Sequence, residues 1–315
     1  TLMKRSRPNV PDTSAPPRFG AMDPATAPAL SMRNLTKVFG STTAVNQLNL
    51  DIPRGSLYGI VGPNGAGKTT SLTMATGLLE PTAGNAWICG IPMWDEATPD
   101  QVVEAKQKFG LLADGLPVFD RLSAREYLDY LGLLRAMASE EIEQRSNDLL
   151  QAMDLQDTGG KFIVDFSAGM TKKILLAGAL LHSPEVLILD EPFEAVDPVS
   201  GKVIRDILRQ YTAAGGTVIL SSHVMELVEG LCDHVAIIAE GRVLRSGTLD
   251  EVRQGQALTD VFVNLVGGRS LAEGSLGWLG HGSAVDTSGP ETGGTKAAAA
   301  NSEGTADPNA PEAQA

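Results

Sequence analysis

The sequence predicts an α/β fold in which a parallel sheet is interrupted by a helical insertion. Three observations carry that expectation. The apolar run "LYGIV" (57–61) ends in a glycine-rich turn that opens a helix. Residues 121–182 change character and read as helices. After residue 185 strands and helices alternate, as "EVLILD", "GKVIRDILRQY", "TVILSS", "HVMELVEGL" and "HVAIIAE". That alternation is what packs helices onto a parallel sheet.

The elements follow in order. "SMRNLTKVF" and "AVNQLNLDI" are β-like runs separated by turns, and they lead to "LYGIV". The stretch "KTTSLTMATGLL" (68–79) predicts the helix after the glycine-rich turn. Ser123 and Glu126 have the spacing of a capping box, and Tyr127, Leu131 and Leu134 follow at helical spacing. Ser139, with Glu140 and Glu141 behind it, starts a second helix that puts Ile142, Leu149, Leu150 and Met153 on one face. "FSAGM" (166–170) precedes a third, "TKKILLAGALL", with Ser167 as its N-cap and Gly169 allowing close approach. "VLIL" (186–189) suits a strand covered on both faces. No internal repeat is present, so any site is encoded once. The two ends read differently. Residues 1–28 hold six prolines, and the chain from about 268 onward is Gly, Ala, Ser and Thr with few large apolar residues. Both are expected to be disordered, the second as an acidic tail, because they bury too little apolar surface to offset the entropy of ordering.

Composition bounds the function. The chain has 315 residues, 43% hydrophobic and 20% charged, which is enough for a sizeable core in a soluble protein. No apolar run approaches the roughly 18 residues of a membrane-spanning helix. Work at a membrane would therefore need another subunit to cross it. A formal charge of −13 disfavours nonspecific nucleic-acid binding. The dense basic patch "KRSR" (4–7) reads as a solvated tail. Cys89 and Cys232 stand alone, with no disulfide framework or zinc spacing. Residues 1–30 lack the apolar core of a signal peptide, so a cytoplasmic protein is expected.

Three stretches carry chemistry. "GPNGAGKTT" (62–70) fits G-x-x-x-x-G-K-[ST] through Gly62, Gly67, Lys68 and Thr69, with Pro63, Asn64, Gly65, Ala66 and Thr70 completing the loop. Its glycines let backbone N–H groups curl round phosphate oxygens, and the helix N-terminus adds its positive dipole end. Lys68 would reach the β- and γ-phosphates while the Thr69 hydroxyl holds Mg²⁺. "VLILDEP" (186–192) places Asp190 and Glu191 at the carboxyl end of a strand, where open α/β sheets bind ligands. Adjacent carboxylates are costly there unless a cation is near. Asp190 facing Mg²⁺ and Glu191 polarising the attacking water give both a task. His223 follows the strand "TVILSS" at an end of the same sheet, which points to a role near the γ-phosphate. His182, His234 and His281 read as structural or exposed.

Together these residues resemble the ATP-binding subunit of ABC transporters over about 31–267. The resemblance implies an α/β P-loop NTPase core with a parallel sheet, an antiparallel β subdomain and an inserted α-helical subdomain. The cassette would span 29–267 with its helical part at about 116–184. It also implies that two cassettes meet head to tail around two ATP molecules. Residues 62–70 look like the Walker A loop and 186–190 like Walker B, while Glu191 matches the catalytic glutamate and His223 the switch histidine. "FSAGM" matches the signature that binds the γ-phosphate of the opposite cassette, through Ser167 and Gly169. "EAVD" (194–197) matches the D-loop ending in Asp197. Phe39 stands where the family puts an aromatic ring against adenine, and Val45 is grouped with the nucleotide-binding residues.

Three departures stand out. Ala168 and Met170 replace a glycine and a glutamine in the signature. Glu194 and Ala195 stand where a small polar residue and glycine are usual. Asp114, in "FGLLADGLPVFDRLSAREYL", occupies a position where the family has a glutamine that touches Mg²⁺ or the attacking water and links the site to the membrane subunit. Aspartate accepts hydrogen bonds but cannot donate them. Asp114 reads either as a substituted metal and coupling residue or as a solvated loop carboxylate. The function implied is ATP hydrolysis by a cassette, a homodimer, that serves a separate integral membrane subunit at the inner face of the membrane. The ending "LTDVFVNLVGG" (258–268) resembles export-type bacterial cassettes. The rival reading, a soluble ATPase of the same type acting on nucleic acid or ribosomes, is disfavoured by the single cassette, the short gap between the Walker motifs and the acidic charge.

Overall fold

The computed structural model of the chain describes residues 26–95, 97–113 and 119–267. Asp114, the patch at 4–7, His281 and nearly all of both expected tails lie outside the described residues. Strands β1 (Leu30–Phe39), β2 (Thr42–Ile52) and β3 (Leu57–Val61) lead into helix α1 (Lys68–Ala75). Strands β4 (Ala83–Ile88) and β5 (Ile91–Pro92) precede α2 (Pro99–Lys108) and β6 (Phe109–Leu112). Helices α3 (Ala124–Leu134), α4 (Ser139–Ala152) and α5 (Ala168–Leu180) then intervene before β7 (Val186–Leu189). The chain continues through α6 (Pro198–Ala213), β8 (Thr217–Ser222), α7 (Met225–Leu231), β9 (His234–Ala239) and β10 (Arg242–Thr248). The described part closes with α8 (Leu249–Arg253) and α9 (Leu258–Val266).

Among the described residues two sheets form. One is antiparallel, in the order β2-β1-β4-β5, and the other runs β10-β9-β3-β8-β7-β6. In the second sheet β9, β3, β8, β7 and β6 pair in parallel, and β10 joins the edge antiparallel to β9. The side-chain period of two explains the layering. Leu57, Val61, Leu187, Leu189, Val218, Leu220, Val235 and Ile237 face one core shared with α3 to α9. Tyr58, Ile60, Val186, Ile188, Ile219, Ala236 and Ile238 face a second core shared with the antiparallel sheet and α1. Both faces of β7 and β8 are therefore covered and every residue in them is buried, as the apolar composition of 186–189 requires. Each such aliphatic side chain contributes about 1.5–3 kcal/mol through burial.

Local signals account for the helix starts. Ser123 and Glu126 form the reciprocal capping box of α3. Ser167 caps α5, its hydroxyl accepting from the Met170 amide at 3.2 Å. Three sequence expectations need correction. The helix expected over 68–79 ends at Ala75, because the Thr76 hydroxyl bonds back to Leu72 O and Gly77 turns the chain at φ 78°. Leu134, expected on the packed face of α3, is 64% exposed, since the helix buries Tyr127, Leu128 and Gly132 instead. Ala27, inside the segment expected to be disordered, is buried, and its carbonyl accepts from Arg54 Nε at 3.0 Å.

The helical insertion is held at its seam to α2 and, through His182, to the sheet. Arg135 donates to Lys106 O and Arg145 to Leu181 O, both at 3.0 Å, and His182 Nε2 lies 3.1 Å from Phe109 O. Burial, aided by the Arg135 charge, pushes the His182 pKa down to about 4. The ring is thus neutral and donates to the carbonyl. His234 stacks on Tyr58 and pairs with Asp233 at 2.7 Å, a structural placement too. Cys89 and Cys232 are buried free thiols. No helix among the described residues is long and apolar enough to cross a membrane.

Candidate active site

The order β3-β8-β7 brings the carboxyl ends of three parallel strands to one edge of the sheet. The glycine-rich loop follows β3, Asp190 and Glu191 follow β7, and His223 follows β8. A cavity of about 390 Å³ opens there, lined by Ala44, residues 64–70, Glu191, Glu194 and His223.

The loop shape depends on two glycines. Gly67 caps α1 at φ 99°, in the left-handed region, and a Cβ there would lie 2.6 Å from Ala44 O. A Cβ on Gly62 would meet Ile238 O at 2.1 Å. The Gly241 amide, in the turn between β9 and β10, donates to Ala66 O at 3.0 Å and so braces the loop from the side. The first amides of α1 have no acceptor within the helix and their dipoles point into the cavity. Lys68 is only 6% exposed, and its Nζ donates to Gly62 O at 2.8 Å and to Pro63 O at 3.4 Å.

Opposite the loop stand the carboxylates. Glu191 Oε1 lies 3.6 Å from Lys68 Nζ, and Oε2 lies 3.0 Å from His223 Nδ1. Its backbone is left-handed at φ 46°, a conformation that non-glycine residues adopt at a cost and that clusters at working sites. Lys172 Nζ, from α5, reaches Glu191 O at 3.2 Å. Asp190 is 2% exposed, its amide donates to Leu112 O at 2.7 Å, and its Oδ1 accepts from Ser221 Oγ. The other oxygen, Oδ2, is buried with no hydrogen-bond partner. An orphaned carboxylate oxygen is expensive unless a cation or donor meets it. Thr69 is exposed in the same cavity. No cluster of three or more His, Cys, Asp or Glu among the described residues could hold a metal alone. That donor set suits Mg²⁺, which takes one or two protein oxygens and completes its shell with phosphates and water.

The remaining candidates fall elsewhere. Ser167 and Gly169 open α5, and a Cβ on Gly169 would sit 2.6 Å from Asp197 Oδ2 and 2.7 Å from Ser200 Oγ. Asp197 caps α6, accepting from the amides of Val199 and Ser200 at 3.0 Å. Those bonds, with Ser200 foremost, hold its carboxyl below the usual range. None of the three residues lines the cavity. Phe39 is exposed at the end of β1, with Lys37 Nζ 5.3 Å from its ring centre, and it too lies outside the lining. Val45 lies beside the loop and outside the lining. It is fully buried, and its Cγ2 lies 3.2 Å from the place of a Cβ on Gly67, so it supports the loop while neighbouring Ala44 lines the cavity. Gly62 and Pro63 likewise act through their carbonyls on Lys68.

Ala44, Glu194 and Ser221 were not expected at the site. Glu194 was visible as a departure but not as a cavity residue. Ser221 had no signal of its own, because only the pairing of β7 with β8 sets it beside Asp190. Ala195, where the resemblance has glycine, adopts φ 57°.

Comparison with known proteins agrees with this geometry. The profile of the family described as "ABC transporter" matches residues 45–194. The chain is 36% identical over 219 residues to the ABC transporter ATP-binding protein NatA of Bacillus subtilis, covering 69% of this chain and 87% of that protein. It is 34% identical over 242 residues to Nod factor export ATP-binding protein I of Cupriavidus pinatubonensis, covering 76% and 72% respectively. A solved dimeric ATP-binding cassette, in a post-hydrolysis state bound to ADP and Pi, superposes with a TM-score of 0.64 at 25% identity, over 70% of this chain and 98% of that one. With an orphaned carboxylate and a glycine-built loop on one sheet edge, and with these relatives, the chain belongs to the ABC transporter family as an ATP-binding cassette.

Proposed function

We propose that Glu191 and His223 are the hydrolytic pair of this ATP-binding subunit, and that residues 64–70 cradle the β- and γ-phosphates of ATP. The observation that carries the reading is the suspension of Glu191 between Lys68 and His223 at the mouth of the loop cavity. Lys68 would exchange its carbonyl acceptors for phosphate oxygens, and the α1 amides would meet the remaining charge. Glu191 would accept a proton from the water attacking the γ-phosphate, with His223 holding one carboxylate oxygen in place. Thr69 and Asp190 Oδ2 would hold Mg²⁺, which, when bound, neutralises charge developing on the phosphates. Asp114 is assigned to the same metal.

Ser167, Gly169 and Asp197 would serve the nucleotide of a second cassette, and Phe39 the adenine. Their separation from the cavity supports that division of labour. ATP would close the cassette dimer and hydrolysis would reopen it. A separate membrane subunit, with the cassette docked on its cytoplasmic side, would move the substrate. Export is favoured because a relative covered over 72% of its length is named for export. The test is Glu191→Gln. ATP binding and ATP-driven dimers should persist while hydrolysis falls by at least about 100-fold, the scale of losing a general base. Hydrolysis at the wild-type rate would refute the assignment.

A further inference from the structure

We infer that Ser221 is a positioning residue for hydrolysis, aligning Asp190 and Glu191 with a single hydroxyl. The inference rests on the roles proposed above for those two carboxylates. Strand β8 runs between β3, which delivers the phosphate loop, and β7, which delivers the carboxylates. Ser221 pairs with Ile60 in β3, and the preceding residue, Leu220, pairs with Leu189 in β7. The register therefore sets Ser221 level with the first residue beyond β7, which is Asp190.

The side chain is fully buried. Its Oγ donates to Asp190 Oδ1 at 2.5 Å and accepts from the Glu191 amide at 3.0 Å. A hydroxyl has one donor and two acceptor positions, so both bonds are made at once. Two consequences follow for the chemistry. With Oδ1 engaged, Asp190 presents Oδ2 alone, in a set direction, and that is the buried atom without a partner. With its amide anchored, Glu191 is held in the left-handed conformation that aims its carboxylate between Lys68 and His223. Ser221 is not among the residues that line the cavity, so it acts through its two neighbours. A buried serine that merely satisfies the sheet would leave metal binding unchanged, and that contrast makes the role testable.

The experiment measures ATP binding by the full chain while Mg²⁺ is titrated up from an EDTA-containing buffer, alongside kcat and KM. Groups that orient metal ligands typically control metal affinity by 10–100-fold. Ser221→Ala should bind ATP in EDTA like the wild type, need at least about tenfold more Mg²⁺ for tight binding, and lose at least about tenfold in kcat with little change in KM. Ser221→Thr, which keeps the hydroxyl, should restore both. An alanine variant with the wild-type Mg²⁺ titration and kcat overturns the inference, as does a folded threonine variant no better than alanine. If alanine prevents folding, Ser221→Cys substitutes a weak donor of similar size, and a wild-type titration there is equally fatal. A wild-type protein showing no Mg²⁺-dependent ATP binding would instead overturn the functional reading itself.

Discussion

The two ends of strand β7 differ in how they treat charge. At the amino end Glu185 is fully engaged. Arg54 reaches its Oε2 at 2.8 Å and Lys108 its Oε1 at 2.6 Å, and those partners, Lys108 first, keep the carboxyl below its usual range. Cys89 lies 3.6 Å from the same oxygen as Arg54, and burial raises its thiol to about 11. Five residues later the carboxyl end is unsettled. Asp190 keeps a buried oxygen without a partner, and Glu191 holds a strained φ of 46° while its carboxylate is split between a lysine and a histidine. The same four apolar residues connect both ends. The fold settles charge at the amino end and leaves it unsettled at the carboxyl end, where the proposed function puts a metal and a phosphate.

Asp190→Asn tests the contrast hardest. Hydrolysis should fall by at least about 100-fold, as expected when a metal's charge stabilisation is lost. The melting temperature should hold or rise, because a costly buried charge disappears. A large loss of stability would mean that Asp190 is structural after all.

His182 offers a pH-dependent test at the opposite edge, where its ring meets the start of β6. An unfolded histidine titrates near 6.5, whereas the folded ring titrates near 4. Between those values the unfolded chain binds the extra proton, so stability rises with pH and is lost as pH falls through the window. The loss should total about 1–3 kcal/mol, allowing for partial solvent access. Denaturant titrations of His182→Gln should show a flatter profile from pH 6.5 to 4, and an unchanged slope would remove His182 from the account.

Glu185→Gln should have the smallest effect. Its side chain is 42% exposed, and such pairs contribute about 1 kcal/mol or less. ATPase rate should be unaffected. A marked kinetic defect would show that the amino end is not merely supporting.

Legibility in the sequence followed the range of the interaction. The Ser123–Glu126 box, the Ser167 cap and the loop at 62–70 are decided by residues within a few positions of one another, and each was readable. Helix α2 carries the same kind of signal in Thr98 and Gln101, a capping box with Pro99 just inside it. Where a distant neighbour decided, the reading failed. Leu134 continues the helical spacing of α3, yet it stays 64% exposed. Val45 neighbours the loop but turns its side chain into the core, while Ala44 faces the cavity. Ser221 is one of two adjacent serines in "TVILSS", and no local pattern distinguishes them.

The amino-acid sequence alone determined the chemistry available: a loop only glycines could shape, two carboxylates beyond an apolar strand, and a histidine beyond another. Those are properties of contiguous residues and of the backbone conformations they permit. The tertiary structure decided which of them meet. Strand order set β8 between β3 and β7, register set Ser221 beside Asp190, and the resulting geometry left one carboxylate oxygen buried and unpaired. Pairing between strands far apart in the chain depends on how whole faces pack, and so it is not written in any single segment.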